Sequence, residues 1–358
     1  MQPLAGIVVL DFTTLLPGPL ATLMLAEAGA EVIKIEPPGG EMMRAHSPHV
    51  GGESVAFAAL NRGKSSLTLD LKAKGDRERL APLLARADVL IEQFRPGVMD
   101  RLDLGYERIR AINPRIVYCS ISGYGQSGPR AQEAGHDLNY IGATGLLALN
   151  PGPHDRPTVP PALVADIGGG TFPAVLNILL GLRQRDMSGH GCHIDIAMSD
   201  AMFMFAWHAL LSGFAGHGFP GSGEDHLVGG SPRYRLYPTR DGKVVACAAL
   251  EPKFWNAFTK AIGLDPQYIN DAKDPHATAE AVAAVIKEKS ADQWRPIFAA
   301  ADCCVTIVAS LEGAVRDPHF VGRGLFDREV EVGGKRFPAL PVPIASAFRQ
   351  QANRNNRA

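Results

Sequence analysis

Apolar positions in the first third of the chain fall into short continuous runs, separated by longer amphipathic stretches. Gly6-Ile7-Val8-Val9-Leu10-Asp11 is apolar without a break until its terminal acid, the pattern of a parallel strand buried on both faces. A turn at Leu16-Pro17-Gly18-Pro19 follows, then helical periodicity from Leu20 to Gly29, where glycine ends the helix. Glu31 to Glu36 predicts the next strand. The same unit recurs: strand Ser66 to Leu71, helix Asp76 to Ala87, strand Val89 to Ile91, helix Arg101 to Ile112 and strand Ile116 to Ser120.

Strands and helices alternating at these lengths predict an α/β fold with a doubly wound parallel sheet. The turn Leu15 to Pro19 lacks the Gly-x-Gly-x-x-Gly pattern. The large domain is therefore read as Rossmann-like without a dinucleotide fingerprint, which argues against NAD.

The pattern changes in the second half. Phe172 to Gln184 predicts an apolar helix, Cys192 to Met198 alternates like a half-buried strand, and Ser199 to Phe214 predicts an aromatic-rich helix. Met202, Phe203, Met204, Phe205 and Trp207 on that helix are read mainly as core, with an apolar acyl surface as the lesser alternative. Gly213 to Ser231 is read as a linker. Tyr234 to Tyr237 and Val244 to Ala249 predict a hairpin about Asp241-Gly242. Helices are expected at Pro252 to Ile262, Thr278 to Lys289 and Ala291 to Ala301. The resulting plan is a large domain over residues 1–200, a helix and linker over 201–230, a smaller α+β domain over 231–325, and a segment 326–358 returning to the large domain. Gln350 to Ala358 is polar and expected to fray.

Composition narrows the function classes. The 358 residues carry a net charge of −1, so no overall field favours nucleic acid or an anionic membrane. The 5 cysteines show no CxxC spacing, which gives no metal signature and points to a reducing compartment. No basic leader precedes the first apolar run, and no run is read as long enough to span a bilayer. A cytoplasmic location is expected.

The chemistry-bearing residues are few. His136 and Asp137 sit together in Gly135-His136-Asp137-Leu138-Asn139-Tyr140, and Asp166 precedes Gly168-Gly169-Gly170. Histidine titrates near neutrality and suits proton transfer. The structural alternative is equally weighted: His136 bonded to backbone at a helix start, with Asp137 as its N-cap. Asp166 has the same alternative, and its glycines either admit a ligand or merely pack helix against sheet. Glu251, before Pro252, reads locally as a cap. Arg95 follows a strand and suits a phosphate or a structural ion pair equally. Lys72 and Lys74 read as solvated lysines near a helix start.

Together these segments resemble the family III CoA-transferase (CaiB/BaiF) superfamily over nearly the whole chain. The resemblance rests on Leu16 to Pro19, Leu25 to Lys34, Ala87 to Glu92 with Phe94 to Gly97, Gly123 to Pro129, Gly135 to Tyr140, Asp166 with its glycines, and Ala249 to Pro252. Within the superfamily, the His136-Asp137 pair with Asp166 looks most like the α-methylacyl-CoA racemases. The resemblance implies an isomerase of lipid metabolism that interconverts (R)- and (S)-2-methylacyl-CoA by 1,1-proton transfer through an enolate. His136 and Asp166 are implied as the two bases, Glu251 as the acid orienting His136, and Asp137 as part of the oxyanion and CoA site, with backbone N–H groups holding the enolate. CoA contacts are implied at Leu69, Asp70, Leu71, Lys72, Ala87, Asp88, Val89, Arg95, Gly135, Leu138, Asn139, Tyr140, Ala165, Ile167 and Gly168. No metal or redox cofactor is required; CoA enters as part of the substrate. The resemblance also implies an interlocked homodimer with shared active sites, Glu251 acting in trans.

One departure from the family pattern stands out. Glu36 is followed by Pro37 where an arginine suited to a CoA phosphate is expected, leaving Arg44, Lys64 or Lys72 to compensate. The alternative activity is CoA transfer with Asp137 as nucleophile. An acyl-CoA-binding protein without turnover is a third reading.

Overall fold

The computed structural model describes residues 2–152 and 158–349, so the polar tail at 350–358 lies outside the described residues. The chain falls into two compact units, one from Met1–Thr144, Pro161–Phe205 and Pro318–Ala358, the other from Gly145–Pro160 and Ala206–Asp317.

The first unit is built on six parallel strands: β1 (Val8–Asp11), β2 (Glu31–Glu36), β3 (Ser65–Thr68), β4 (Val89–Glu92), β5 (Val117–Ser122) and β6 (Cys192–Ala197). Their order is β3-β2-β1-β4-β5-β6, with every neighbouring pair parallel. Every residue of β1, β4 and β5 is buried, as continuous apolar runs in central parallel strands require. The edge strand β6 is only partly covered, and its sequence alternates. Helices α1 (Pro17–Glu27), α2 (Lys74–Arg86), α3 (Tyr106–Ile112), α4 (Asp137–Ala143) and α5 (Phe172–Ser188) belong to the same unit.

Several boundaries differ from the sequence reading, each for a local reason. The expected turn Leu16 to Pro19 is the first turn of α1, with Pro17 at its start. First-turn N–H groups have no intrahelical partner, so proline is tolerated there. The helix expected over Arg101 to Ile112 is broken, because Asp103 takes a left-handed backbone (φ 60°) between Val98–Arg101 and α3. Likewise, the helix expected over Ser199 to Phe214 is two pieces, Met202–Phe205 and Trp207–Phe214. Of its apolar row only Met202 is buried; Phe203, Met204, Phe205 and Trp207 are exposed, so reading them mainly as core was mistaken.

The segment before α5 corrects another expectation. Val164–Thr171 forms a π-helix running directly into α5. The joined helix Val164–Ser188 is 25 residues long and apolar enough to cross a membrane by length and composition, contrary to the reading that no run approaches that length. That reading stopped at the glycines, whereas the helix continues through them. Its inward side carries Ala174, Val175, Ile178 and Leu182, together with a buried Arg185 whose guanidinium donates to Asp88 at 2.6 Å.

A buried ionic network joins the carboxyl end of β1 to the chain around it. Asp11 accepts from Thr13 N (2.9 Å), Thr22 Oγ1 (2.6 Å) and Lys64 Nζ (3.1 Å). Lys34 donates to Thr13 O at 2.8 Å and faces Glu41 at 3.5 Å. Burial opposes ionisation of Asp11, but the two lysines and two threonine hydroxyls outweigh it and hold its pKa far below the carboxylate range. Burial pushes the Lys64 ammonium down to about 8.

The second unit has three antiparallel strands, β7 (Tyr234–Pro238), β8 (Val244–Ala248) and β9 (Val305–Ile307), ordered β9-β8-β7. Helices α6 (Pro252–Ile262), α7 (Pro275–Ile286) and α8 (Ala291–Ala301) share a core of Trp255, Phe258 and Trp294 with this sheet. The Gly-rich stretch read as a linker belongs to this unit: Ser222 donates to Asn150 O at 2.7 Å and Gly223 N to Leu149 O at 3.1 Å. In the first unit, the C-terminal hairpin β10 (Glu329–Val332) and β11 (Lys335–Pro338) is followed by Leu340, whose carbonyl accepts from Arg62 at 2.8 Å.

Removing one partner of a buried ion pair strands the other. Lys64→Met is expected to lower unfolding free energy by about 3 kcal/mol or more, measured by urea denaturation. A loss within about 0.5 kcal/mol, the range of an unremarkable surface change, would show that Lys64 does not support Asp11.

Candidate active site

The strand order creates a switch point between β1 and β4, where successive connections leave in opposite directions. Ligands of open α/β sheets bind at the carboxyl ends of the strands in that crevice. A cavity of about 440 Å³ lies there, walled by Thr14 and Leu15 after β1, Gln93 to Pro96 after β4, Ile121 to Gly123 at the end of β5, and Met198 after β6. Gly135, His136, Asn139, Tyr140 and Asp166 also line it, with Pro17, Ala131, Glu133 and Ala134.

Every polar residue of the Gly135 to Tyr140 run has an assigned structural task. Tyr140 donates to the Gly135 carbonyl at 2.5 Å, and its ring packs so closely that a Cβ on Gly135 or Gly123 would lie 2.7 or 2.5 Å from it. Glycine is needed at both positions because the ring occupies that space. His136 is the N-cap residue of α4, with extended backbone, and its N–H donates to Asn139 Oδ1 at 3.0 Å. The backbone is held by Asn139, and the imidazole is exposed at the cavity wall. Asp137 is the first residue inside the helix rather than the N-cap expected from sequence.

Asp137 is buried, and its Oδ1 accepts the backbone N–H groups of Ala165 (2.7 Å) and Asp166 (2.9 Å). One carboxylate therefore clamps the first turn of the π-helical segment and places the second carboxylate. Asp166 stands inside that turn, not at its cap, which is Leu163. Burial first, and the charge of Asp137 second, push Asp166 up to about 6, against the opposing influence of His136. A histidine thus faces the same cavity as a carboxyl group raised to about 6, the pairing needed to exchange protons with a common carbon.

The other sequence-derived positions divide. Arg95 is exposed at the cavity wall, beside Gln93. Leu69, Asp70, Leu71 and Lys72 follow β3 at the carboxyl edge of the sheet; Leu69 is buried and Lys72 exposed. Ala87, Asp88 and Val89 stand at the amino end of β4, away from the cavity's edge, and Asp88 is occupied by Val8 N (2.8 Å) and Arg185. Leu138 is exposed and Ala165 buried, while Ile167 is half-buried; none of the three lines the cavity. The glycines after Asp166 serve packing: a Cβ on Gly168 would lie 2.6 Å from the Phe205 ring, and one on Gly169 would lie 2.3 Å from the Met198 carbonyl oxygen. Glu251 belongs to the second unit, at the N-cap position of α6, where its side chain makes no capping bond.

The residues named as substitutes for the missing arginine are unequal. Lys64 is buried against Asp11. Arg44 pairs with Glu36 through two contacts of 2.7 Å and stacks 3.7 Å over Phe57. Burial opposes ionisation of Glu36, but hydrogen bonds from Arg44, Ser66 and the Glu41 backbone outweigh it and hold its pKa down to about 2. Arg44 and Lys72 are both exposed, Arg44 tied to Glu36 at the end of β2 and Lys72 following β3 at the sheet's carboxyl edge.

Sequence reasoning missed Leu15, Gln93 and Met198. Leu15 has a left-handed backbone (φ 62°), uncommon for a residue with a branched side chain. Its N–H donates to the buried Glu41 at 2.6 Å, and Gln93 accepts from Gly18 N at 3.0 Å, joining the first turn of α1 to the loop after β4. No local pattern marks Leu15; Gln93 carried a signal in its position directly before Phe94-Arg95.

Residues 4–356 match the family model described as CoA-transferase family III. The chain is 35% identical over 351 residues to alpha-methylacyl-CoA racemase of Mus musculus, covering 96% of this chain and 86% of that one. It is 34% identical over 355 residues to acetyl-CoA:oxalate CoA-transferase of Acetobacter aceti, covering 96% and 89%. The solved structure of a CAIB/BAIF family protein from Brucella suis matches with a TM-score of 0.80 at 29% identity, covering 98% of this chain and 94% of that one.

A carboxyl group whose folded pKa lies above its unfolded value binds more protons when folded, so its contribution to stability declines as pH rises toward about 6. Asp166→Asn removes that burden. Its melting temperature is expected to exceed the wild-type value at neutral pH, corresponding to about 1 kcal/mol for this partly exposed group, with the difference vanishing near pH 4. An unchanged or lower value in thermal unfolding at neutral pH would refute the strain assigned to Asp166.

Proposed function

The chain belongs to CoA-transferase family III, and from that premise we propose that it is an acyl-CoA racemase acting on 2-methylacyl-CoA thioesters. The observation carrying this reading is the division of labour between the two aspartates. Asp166 lines the cavity with His136, whereas Asp137 is buried with one oxygen bonded to two backbone amides. A nucleophile must reach the thioester carbonyl. A positioning carboxylate need not.

In the proposed reaction, one base removes the α-proton of the thioester and leaves an enolate. The other base returns a proton to the opposite face, and the roles reverse for the other enantiomer. A carboxyl group at about 6 is near the balance between giving and taking a proton at neutral pH. The first-turn N–H groups of α4 supply hydrogen bonds for the enolate oxygen. The Ala165 and Asp166 amides are already bonded to Asp137, so the oxyanion role falls on α4 rather than on the glycine-rich turn. Arg95 is assigned to a CoA phosphate. On the family resemblance, Glu251 is assigned as the acid orienting His136 within a homodimer.

The second reading, CoA transfer through Asp137, draws support from the 34% identity to the oxalate transferase. Incubation of a 2-methylacyl-CoA in D2O separates the two. Racemization predicts α-deuterium without any acceptor acid; thioester label appearing only from an added carboxylate would replace it with transfer. His136→Ala is expected to slow exchange about 10²–10⁴-fold with little change in thioester affinity by calorimetry. Equal losses in both would make His136 structural.

Asp137→Asn provides a further check, since its amide oxygen can still accept the two N–H bonds. Exchange is expected to fall by about tenfold or less. Complete loss, with the fold intact by circular dichroism, would assign Asp137 a covalent role instead.

A further inference from the structure

Within the second unit, two imidazoles converge on a buried carboxylate. His208 lies on the helix Trp207–Phe214, and Asp225 and His226 lead into the Gly-rich turn His226–Gly230. His208 Nδ1 is 2.6 Å from Asp225 Oδ2, and His226 Nδ1 is 4.0 Å from Asp225 Oδ1. The two rings stand nearly perpendicular, at 83°, with centroids 4.0 Å apart. One ligand atom from each residue falls in a group no more than 4.8 Å across.

We propose that His208, Asp225 and His226 bind a divalent transition-metal ion, zinc being the best chemical match, at a structural site separate from the proton-transfer cavity. Two neutral imidazoles and one carboxylate form the N/O donor set that zinc accepts, with a fourth position for water. Zinc–ligand bonds of about 2.0–2.1 Å in a tetrahedron separate ligand atoms by about 3.3 Å. The observed 2.6 and 4.0 Å lie on either side of that value. Both imidazoles are partly exposed, so small side-chain rotations suffice to equalise the two distances. Asp225 is already anchored, its Oδ1 accepting Leu227 N at 2.8 Å.

The ion would staple the helix bearing His208 to the turn that follows Asp225. Glycine is required in that turn: Gly229 is left-handed (φ 104°), and a Cβ on Gly230 would lie 2.1 Å from the Glu224 carbonyl oxygen. Val228, Gly229 and Gly230 also wall a cavity of about 1000 Å³ in the same unit, so the ion would fix one side of that cavity. The site therefore acts on the shape of this unit and has no step in proton transfer.

The test uses full-length, untagged protein stripped with a chelator and titrated with zinc chloride against a chromophoric competitor. Wild type is expected to bind one equivalent at micromolar affinity or tighter and to melt at a higher temperature when loaded. Cobalt substitution should give the visible absorption of a four-coordinate N/O site. His226→Ala and His208→Ala should each weaken binding by at least about a hundredfold and abolish the melting shift. His276→Ala, which alters the exposed His276–Glu280 pair in the same unit, should bind like wild type. Failure of wild type to bind, or equal affinity in His226→Ala, overturns the site. Because His226 is exposed, its variant still decides the matter should His208→Ala fail to fold.

Discussion

The carboxylate of Asp11 is the point on which the first unit depends. It ends the central strand β1 in full burial and carries a charge that only Lys64, Thr13, Thr22 and the nearby Lys34 make tolerable. Apolar side chains of equal volume can stabilise a core as well as a buried ion pair does. They cannot hold a loop in a chosen conformation. Here the charges organise Thr13 to Leu15 through hydrogen bonds to Asp11, Lys34 and Glu41. Leu15 keeps its left-handed backbone at the cavity because Glu41, itself facing Lys34, receives its N–H.

The same economy of means recurs at the chemistry. The electrostatic character of Asp166 comes mainly from its surroundings: burial raises its pKa, and the neighbouring Asp137 raises it further. Asp137 thus acts twice, as the acceptor that fixes the backbone of Asp166 and as the negative charge that makes Asp166 a better proton acceptor. Two acids 29 residues apart form one device.

The alternating strands and helices were legible in the sequence because central parallel strands must be apolar on both faces, as Val8 to Leu10 and Val89 to Ile91 are. His136 and Asp166 were legible through their residue types and the resemblance of their surroundings. The breaks at Asp103 and before Trp207 were not, since helical periodicity continues across both. The role of Asp137 as a clamp was equally hidden. It depends on two amide groups brought from another segment, and an aspartate after histidine at a helix start carries no sign of them. The exposure of Phe203, Met204 and Phe205 shows the corresponding limit for apolar residues: composition indicates a surface that favours contact, not whether the chain itself provides it.

The π-helical stretch ahead of α5 gives Asp166 an angular address. Each residue of an α-helix advances about 100° around the axis, whereas a π-helix has a wider hydrogen-bonded ring and a different angular step. A single-residue deletion between Val164 and Thr171 would therefore turn Asp166 around the axis relative to α5, even with every side chain of the cavity preserved. The length of this segment therefore bears on the site as directly as its glycines do, and a chain one residue shorter between Asp166 and Thr171 would present a different face to its substrate.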